Sequence, residues 1–216
     1  MIIGIDGPAG SGKTTVAKLL AKRLGIFYLD TGAMYRALTL KAIGKKVDLS
    51  DSIALKEIAV GLNLKFKEDK IYLDDSDVSD QIRTPLVEKS ISQVVALPEV
   101  RSIMVGLQRD IVVKGDFVVE GRDITTVVFP DAKYKFYIDA TPAIRSKRRF
   151  KELADKGIKI DFQELDKDLK KRDNADKTRK FSPLKVSKDA VFIDTSNLTI
   201  SGTADEIIKH MNSKDK

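Results

Sequence analysis

Gly7-Pro8-Ala9-Gly10-Ser11-Gly12-Lys13-Thr14 is the stretch on which the fold turns. It fits G-x-x-x-x-G-K-[ST] at every fixed position. Glycines let a loop fold back, so that successive backbone N–H groups point inward at a phosphate. The N-terminus of a following helix adds the positive end of its dipole. Lys13 has the reach for β- and γ-phosphates, and the Thr14 hydroxyl is placed to hold Mg²⁺, with Thr15 continuing the turn. The flanks suit this reading. Ile2–Asp6 is a short apolar run that predicts a strand. Val16, Leu19, Leu20 and Leu24 then recur at helical spacing up to Gly25, a helix stop.

Working outward, strand and helix signals alternate. Ile26–Leu29 reads as a strand and Thr31–Lys41 as a helix started by Thr31. Glu99–Val113 sets Val100, Ile103, Met104, Leu107 and Ile111 on one face, the mark of an amphipathic helix. Phe117–Glu120, followed by Gly121, and Tyr134–Ile138 read as buried strands. Thr141-Pro142 caps a basic helix, with proline in its first turn. Asp161-Phe162-Gln163-Glu164 resembles a capping box for a second charged helix. Ala190–Ile193 is a last strand and Ala204–Met211 a last helix. This alternation predicts an α/β fold, a parallel sheet covered by helices on both faces. Residues 62–97 break the rhythm. Leu62–Lys67 and Ile71–Leu73 alternate around Glu68-Asp69-Lys70 like a hairpin, and Asp74–Pro85 is polar and turn-rich. The expectation is a small antiparallel β/α subdomain, 62–97, inserted into a core made of 1–61 and 98–216.

Composition narrows the classes. A chain of 216 residues, 42% hydrophobic, holds one compact domain with room for a small insert. The longest run without a charged side chain is residues 195–204, far short of the roughly 20 apolar residues of a membrane span. The start, Met1-Ile2-Ile3-Gly4-Ile5-Asp6, carries neither a basic n-region nor a small-residue cleavage site. A cytoplasmic protein is expected. The absence of cysteine removes disulfides, thiolate zinc sites and cysteine nucleophiles. His210 is the single histidine, which argues against His-based triads and multi-histidine metal sites. The net charge is +7, and residues 145–180 hold 14 Lys/Arg against 8 Asp/Glu, a local net of +6. Such a run reads as a solvated helical pair, a nucleic-acid surface or a basic lid over a polyphosphate. Aromatic residues are 6% and form no stripe beside the charge, so stacking on single-stranded bases has little support.

Three classes of phosphate-loop protein compete. A GTPase switch carries D-x-x-G after a strand and N-K-x-D later, and neither stands in a suitable place. A motor or large ATPase shows an apolar strand ending Asp-Glu, whereas the corresponding strand here ends Val118-Val119-Glu120-Gly121-Arg122-Asp123. A small-molecule kinase must hold an acceptor anion opposite the γ-phosphate, neutralise both charges and exclude water, which arginines from several segments can do. Arg36, Arg101, Arg122, Arg172 and Arg179 stand at the ends of predicted elements or in the basic segment. Arg122 lies just past a strand, at the carboxyl edge where open α/β sheets bind ligands.

Taken together, longer runs resemble the bacterial cytidylate kinases of the P-loop nucleoside-monophosphate-kinase family. They are Leu29-Asp30-Thr31-Gly32-Ala33-Met34-Tyr35-Arg36, Asp77-Val78-Ser79-Asp80-Gln81-Ile82-Arg83 and Ser92-Gln93-Val94-Val95-Ala96-Leu97-Pro98-Glu99-Val100-Arg101. To these add Val119-Glu120-Gly121-Arg122-Asp123-Ile124-Thr125-Thr126-Val127-Val128-Phe129-Pro130-Asp131-Ala132, Lys171-Arg172-Asp173-Asn174-Ala175-Asp176-Lys177-Thr178-Arg179 and Pro183-Leu184.

The resemblance implies a P-loop nucleoside-monophosphate-kinase fold, a five-stranded parallel sheet with a small insert and a helical lid at about 145–180. It implies ATP-dependent phosphorylation of CMP and dCMP with Mg²⁺. Gly7, Pro8, Ala9, Gly10, Ser11, Gly12, Lys13, Thr14 and Thr15 would bind ATP. Lys13, Arg122, Arg172 and Arg179 would be the catalytic residues. Thr31, Arg101 and Asp123 would read the cytosine edge, with Tyr35 beside them. Arg36 and Arg122 would grip the CMP phosphate, and Ser92, Arg172 and Asp176 would approach the sugar. Arg179 would reach the transferred phosphoryl group. Some members have Ser at the position of Thr31, keeping the hydroxyl. Some carry Gly-Lys-Gly-Thr where this chain has Gly12-Lys13-Thr14-Thr15, so the metal assigned to Thr14 could fall to Thr15 instead. The resemblance further implies a monomer acting on small molecules, without nucleic acid or membrane. A kinase for UMP or shikimate, and an ATP-dependent nucleic-acid module suggested by a pI of 9.3, are the alternatives.

Overall fold

The computed structural model describes residues 1–67, 70–113 and 115–215. In chain order its elements are β1 (Ile2–Asp6), α1 (Lys13–Leu24), β2 (Phe27–Asp30), α2 (Thr31–Gly44), α3 (Ser52–Val60), β3 (Leu64–Lys67), β4 (Lys70–Leu73), β5 (Ser76–Asp77), α4 (Pro85–Val94), α5 (Pro98–Val112), β6 (Phe117–Gly121), β7 (Tyr134–Asp139), α6 (Pro142–Asp155), α7 (Phe162–Thr178), β8 (Val191–Asp194) and α8 (Ile200–Lys214). A single turn of 3₁₀ helix covers Gln81–Arg83, and a π-helical turn covers Ile124–Val128. The chain divides into two compact units, Met1–Leu29 with Lys114–Lys216, and Asp30–Val113.

The first unit is built on the expected sheet of five strands, in the order β2-β6-β1-β7-β8. β1 runs parallel to β6, with Asp6 opposite Gly121, and parallel to β7, while β7 runs parallel to β8. All five residues of β6 and the last four of β1 are buried. Strands covered on both faces read as continuous apolar runs rather than alternating ones. Ile3, Ile5 and Phe136 from the sheet pack with Leu20 of α1 and Ile207 of α8 in one core cluster. Gly25 ends α1 in the left-handed conformation, as its place after the helix requires. Pro142 stands in the first turn of α6, but the Thr141 side chain makes no capping bond, so proline rather than a threonine cap opens that helix. Asp161 does cap α7, accepting from the amides of Gln163 and Glu164. Leu153, Leu165 and Leu169 of this helical pair pack together with Ala9 of the glycine-rich loop.

The second unit holds α2, α3, α4, α5 and a three-stranded sheet in the order β3-β4-β5. β3 and β4 pair antiparallel from Leu64↔Leu73 to Lys67↔Lys70, the hairpin expected inside 62–97. Glu68 and Asp69, read as part of its turn, lie outside the described residues. α2 begins at Thr31, but its cap is Asp30, whose carboxylate accepts from the Ala33 amide at 2.8 Å. Asp30 has the extended backbone an N-cap needs, while Thr31 is already helical. Among the described residues no helix is long and apolar enough to cross a membrane.

Candidate active site

The glycine-rich loop connects β1 to α1. A Cβ on Gly7 would lie 2.0 Å from the Ile138 carbonyl oxygen, so only glycine lets the loop turn back there. Gly12 stands at the head of α1 with φ 89°, again a glycine conformation. Gly12, at the N-cap of α1, has no side chain to cap it, and the first turn carries no acidic residue. That leaves a helix terminus suited to an external anion. Lys13 is buried and its Nζ donates to the Pro8 carbonyl at 2.9 Å, curling over the loop.

Glu120, at the end of β6 and opposite Ile5 of β1, faces this loop. It is 4% exposed. Thr14 Oγ1 donates to Glu120 Oε1 at 2.6 Å, Tyr28 OH donates to the same oxygen at 3.2 Å, and Lys13 Nζ lies 3.9 Å from Oε2. Thr15, in contrast, is exposed. A hydroxyl and a carboxylate beside the glycine-rich loop form a hard-oxygen donor set of the kind Mg²⁺ accepts. Among the described residues no group of three or more His, Cys, Asp or Glu gathers as an all-protein cage. This fits a metal that keeps waters and phosphate oxygens as its other ligands. Glu120 is absent from the residues singled out by sequence. Its signal was an acid closing the apolar run Phe117-Val118-Val119.

One residue beyond β6, Arg122 Nε donates to Asp176 Oδ2 of α7 at 2.8 Å, with both side chains largely buried. Burial alone would lower the Arg122 pKa, but the Asp176 charge beside it overrides this and holds it above its ordinary value. Burial likewise works to raise the Asp176 pKa, and the Arg122 and Arg172 charges hold it below the usual carboxylate range. Arg179 joins the cluster. Its Nη1 lies 3.8 Å from Asp176 Oδ1, its Nη2 lies 3.7 Å from Asp123 Oδ1, and its Nε donates to the Ser182 carbonyl at 2.6 Å. Arg122, Asp123, Asp176 and Arg179, scattered over 58 sequence positions, thus form one alternating chain of charge within the first unit, with half-buried Arg172 on the same helix as Asp176.

Arg145, hidden by sequence in a basic run, is 5% exposed. Its Nη1 donates to the Ala9 carbonyl at 3.0 Å and to Asp173 Oδ2 of α7, and its Nε donates to the Ala140 carbonyl at 3.1 Å. This one guanidinium ties α6 and α7 to the backbone of the glycine-rich loop. Asp6, the last residue of β1, is fully buried and accepts three hydrogen bonds, from the Ile124 amide, the Thr125 amide and the Thr125 hydroxyl. Burial nevertheless pushes its pKa up to about 6.

In the second unit, Thr31, Tyr35 and Arg36 lie on α2, Ser92 on α4 and Arg101 on α5. Arg36 Nη2 pairs with Asp30 Oδ2 at 2.9 Å, and Arg83 Nη2 approaches the same oxygen at 3.3 Å. The buried Arg101 guanidinium sits 5.4 Å from the Tyr35 ring centroid, and its Nη1 donates to the Val95 carbonyl at 3.3 Å. Ser92 is half-buried. His210 is exposed on α8 beside Glu206, a surface residue.

Comparison with known proteins gives one family. The family described as Cytidylate kinase matches residues 3–213. A cytidylate kinase from Clostridium botulinum (strain Langeland) is 46% identical over 205 residues, 95% of this chain and 94% of the relative. One from Clostridioides difficile (strain 630) is 43% identical over 212 residues, 98% of each. A crystal structure of an uncharacterized protein from Eubacterium ventriosum ATCC 27560 aligns over 99% of both chains with a TM-score of 0.55 at 17% identity, a likeness of fold alone.

Proposed function

The chain belongs to the cytidylate kinase family, and from that premise we propose that it transfers the γ-phosphoryl group of ATP directly to the phosphate of CMP or dCMP, giving ADP with CDP or dCDP. One observation supports this most. Asp6 and Gly121 are register partners on adjacent strands, so the phosphate loop and Arg122 leave the sheet side by side. A donor cradle and a guanidinium for an acceptor phosphate are then neighbours at one carboxyl edge.

On the donor side, the amides of residues 7–15 and the head of α1 hold the ATP phosphates, and Lys13 swings from the Pro8 carbonyl to the β- and γ-oxygens. Thr14 and Glu120 would hold Mg²⁺, which would neutralise part of the ATP phosphate charge. On the acceptor side, Arg36 and Arg122 bind the CMP phosphate. Arg101 and Asp123, with Thr31 and Tyr35, select cytosine. Asp123 accepts from the exocyclic N4 amino group, whereas the carbonyl that uracil carries there meets it as a second acceptor. Ser92, Arg172 and Asp176 contact the sugar.

An oxygen of the CMP phosphate attacks the γ-phosphorus in line. The bond from the γ-phosphorus to the bridging oxygen breaks, and its electron pair leaves with ADP. The attacking oxygen is already anionic, so no covalent enzyme intermediate is required. Catalysis is positioning plus charge stabilisation by Lys13, Arg122, Arg172 and Arg179. We assign residues 62–97 to the monophosphate-binding insert and 145–180 to the lid that keeps water out. The working form is a cytoplasmic monomer acting on small molecules, without nucleic acid.

The test is ADP release with ATP, Mg²⁺ and a panel of acceptors. CMP and dCMP should outrun UMP and AMP by at least about tenfold in kcat/KM, one hydrogen bond's worth of discrimination. Turnover confined to UMP, AMP or shikimate would overturn the reading.

A further inference from the structure

The π-helical turn Ile124–Val128 has an unusual cap. The residue before a helical turn ordinarily accepts the first amides with its own side chain. Asp123 holds that place, with φ −142° and ψ 25°, yet its side chain makes no capping bond. The amides go instead to a residue 118 positions away. Asp6 Oδ1 accepts from the Ile124 amide at 2.7 Å, and Oδ2 accepts from the Thr125 amide at 2.8 Å and the Thr125 hydroxyl at 2.6 Å. β1 is shaped for this contact. Gly4 precedes Asp6 by two residues and so shares its face of the strand. A Cβ on Gly4 would come within 2.8 Å of Thr125 Cγ2, so the bare backbone there lets the turn close onto β1.

We propose that Asp6 is a positioning residue for base selectivity: it caps the turn from another strand, so that the Asp123 carboxylate is directed toward Arg179 and the acceptor base rather than back onto its own backbone. The inference rests on the reading of Asp123 as the group facing cytosine N4. In Asp6→Asn only one oxygen can still accept, so one of the two buried amides loses its partner, a state costly enough to recruit the carboxylate that N-cap geometry offers next, that of Asp123. Asp123 then turns away from the base, and discrimination between cytosine and uracil falls.

The test compares kcat/KM for CMP and UMP in the wild type, Asp6→Asn, Asp123→Asn and the double variant. Asp6→Asn should narrow the CMP-over-UMP ratio by about tenfold, the size of one charge-assisted hydrogen bond. In the Asp123→Asn background it should narrow the ratio no further, a non-additivity that loss of stability alone does not produce. An unchanged ratio in Asp6→Asn, with a narrowed one in Asp123→Asn, overturns the inference and leaves the base-reading role standing. An unchanged ratio in Asp123→Asn overturns that role and the inference with it. Should Asp6→Asn fail to fold, Gly4→Ala decides: its Cβ, 2.8 Å from Thr125 Cγ2, pushes the turn off β1 and weakens both amide bonds to Asp6 while leaving that carboxylate in place. A narrowing in the same direction, smaller in size, supports the inference, and an unchanged ratio overturns it.

Discussion

Replacing Arg122 with alanine separates the catalytic demand on this side chain from its structural one. On the proposed reading the guanidinium meets the acceptor phosphate. Two unit charges about 4 Å apart interact by about 4 kcal/mol at the effective dielectric of a partly buried site. Losing that in the transition state lowers kcat/KM by about 10³-fold. The structural cost is smaller. Asp176 loses its 2.8 Å partner, but it keeps the Arg172 charge and Arg179 at 3.8 Å. Removing the sole partner of a buried charge costs about 3–5 kcal/mol, and with two other cations in place we expect about 1–2 kcal/mol. The variant should therefore fold. Asp176 is held below its ordinary pKa, so its contribution is present at neutral pH and fades as the medium is acidified below the usual carboxylate range. Arg122→Ala should shrink that acid-side loss. Coupled ADP release with varied CMP at saturating ATP measures the first effect, and urea denaturation at pH 7 and at about pH 2.5, below the ordinary carboxylate pKa, the second. Folded Arg122→Ala with kcat/KM within about fivefold of wild type, a difference of only about 1 kcal/mol, would show that this guanidinium does not meet the acceptor phosphate.

Glu120→Gln keeps the size of the side chain beside Thr14 but removes the charge. The Mg²⁺ concentration for half-maximal rate should rise about 10–100-fold, by titration at fixed ATP. Gly7→Ala drives a Cβ to 2.0 Å from the Ile138 carbonyl oxygen. Nucleotide binding should be lost together with about 2–4 kcal/mol of stability, read by calorimetric titration with ATP and by urea midpoints. Asp6 has a folded-state pKa of about 6 against 3.8 for the ordinary group, so the folded protein binds its proton more tightly than the unfolded chain. That stabilisation is fully present below pH 4 and is lost as the pH rises to about 6, a fall on the order of 3 kcal/mol. Stability curves of wild type and Asp6→Asn should converge or cross over this window, and parallel curves would count against a raised Asp6.

The sheet was open to sequence reading because its strands are short apolar runs set off by glycine and proline, and its helices carry clear periodicity. Ile2–Asp6 matches β1 to the residue. Capping was less legible. Thr31 and Thr141 carry the right chemistry, but Asp30 reaches the Ala33 amide first and Pro142 fixes the opening turn of α6. α3 had a signal in Asp51-Ser52, where Asp51 accepts from the Ile53 and Ala54 amides. Within the site, the glycine-rich loop was legible because its shape is local, set by the left-handed backbone of Gly10 and Gly12 and the close approach at Gly7. Glu120, Arg145 and Asp6 were not, because each acts across more than 100 residues, on Thr14, on Ala9 and on Thr125 respectively. Among the 14 basic residues of 145–180, Arg145 differs from the others by being buried.

Direct transfer is decided by where the γ-phosphoryl group goes. Phosphorus NMR of the purified protein with ATP, Mg²⁺ and CMP follows every phosphorus species at once. Direct transfer predicts ADP and CDP appearing one for one, with CMP consumed at the same rate and no inorganic phosphate. Inorganic phosphate accumulating while CMP stays intact would contradict it.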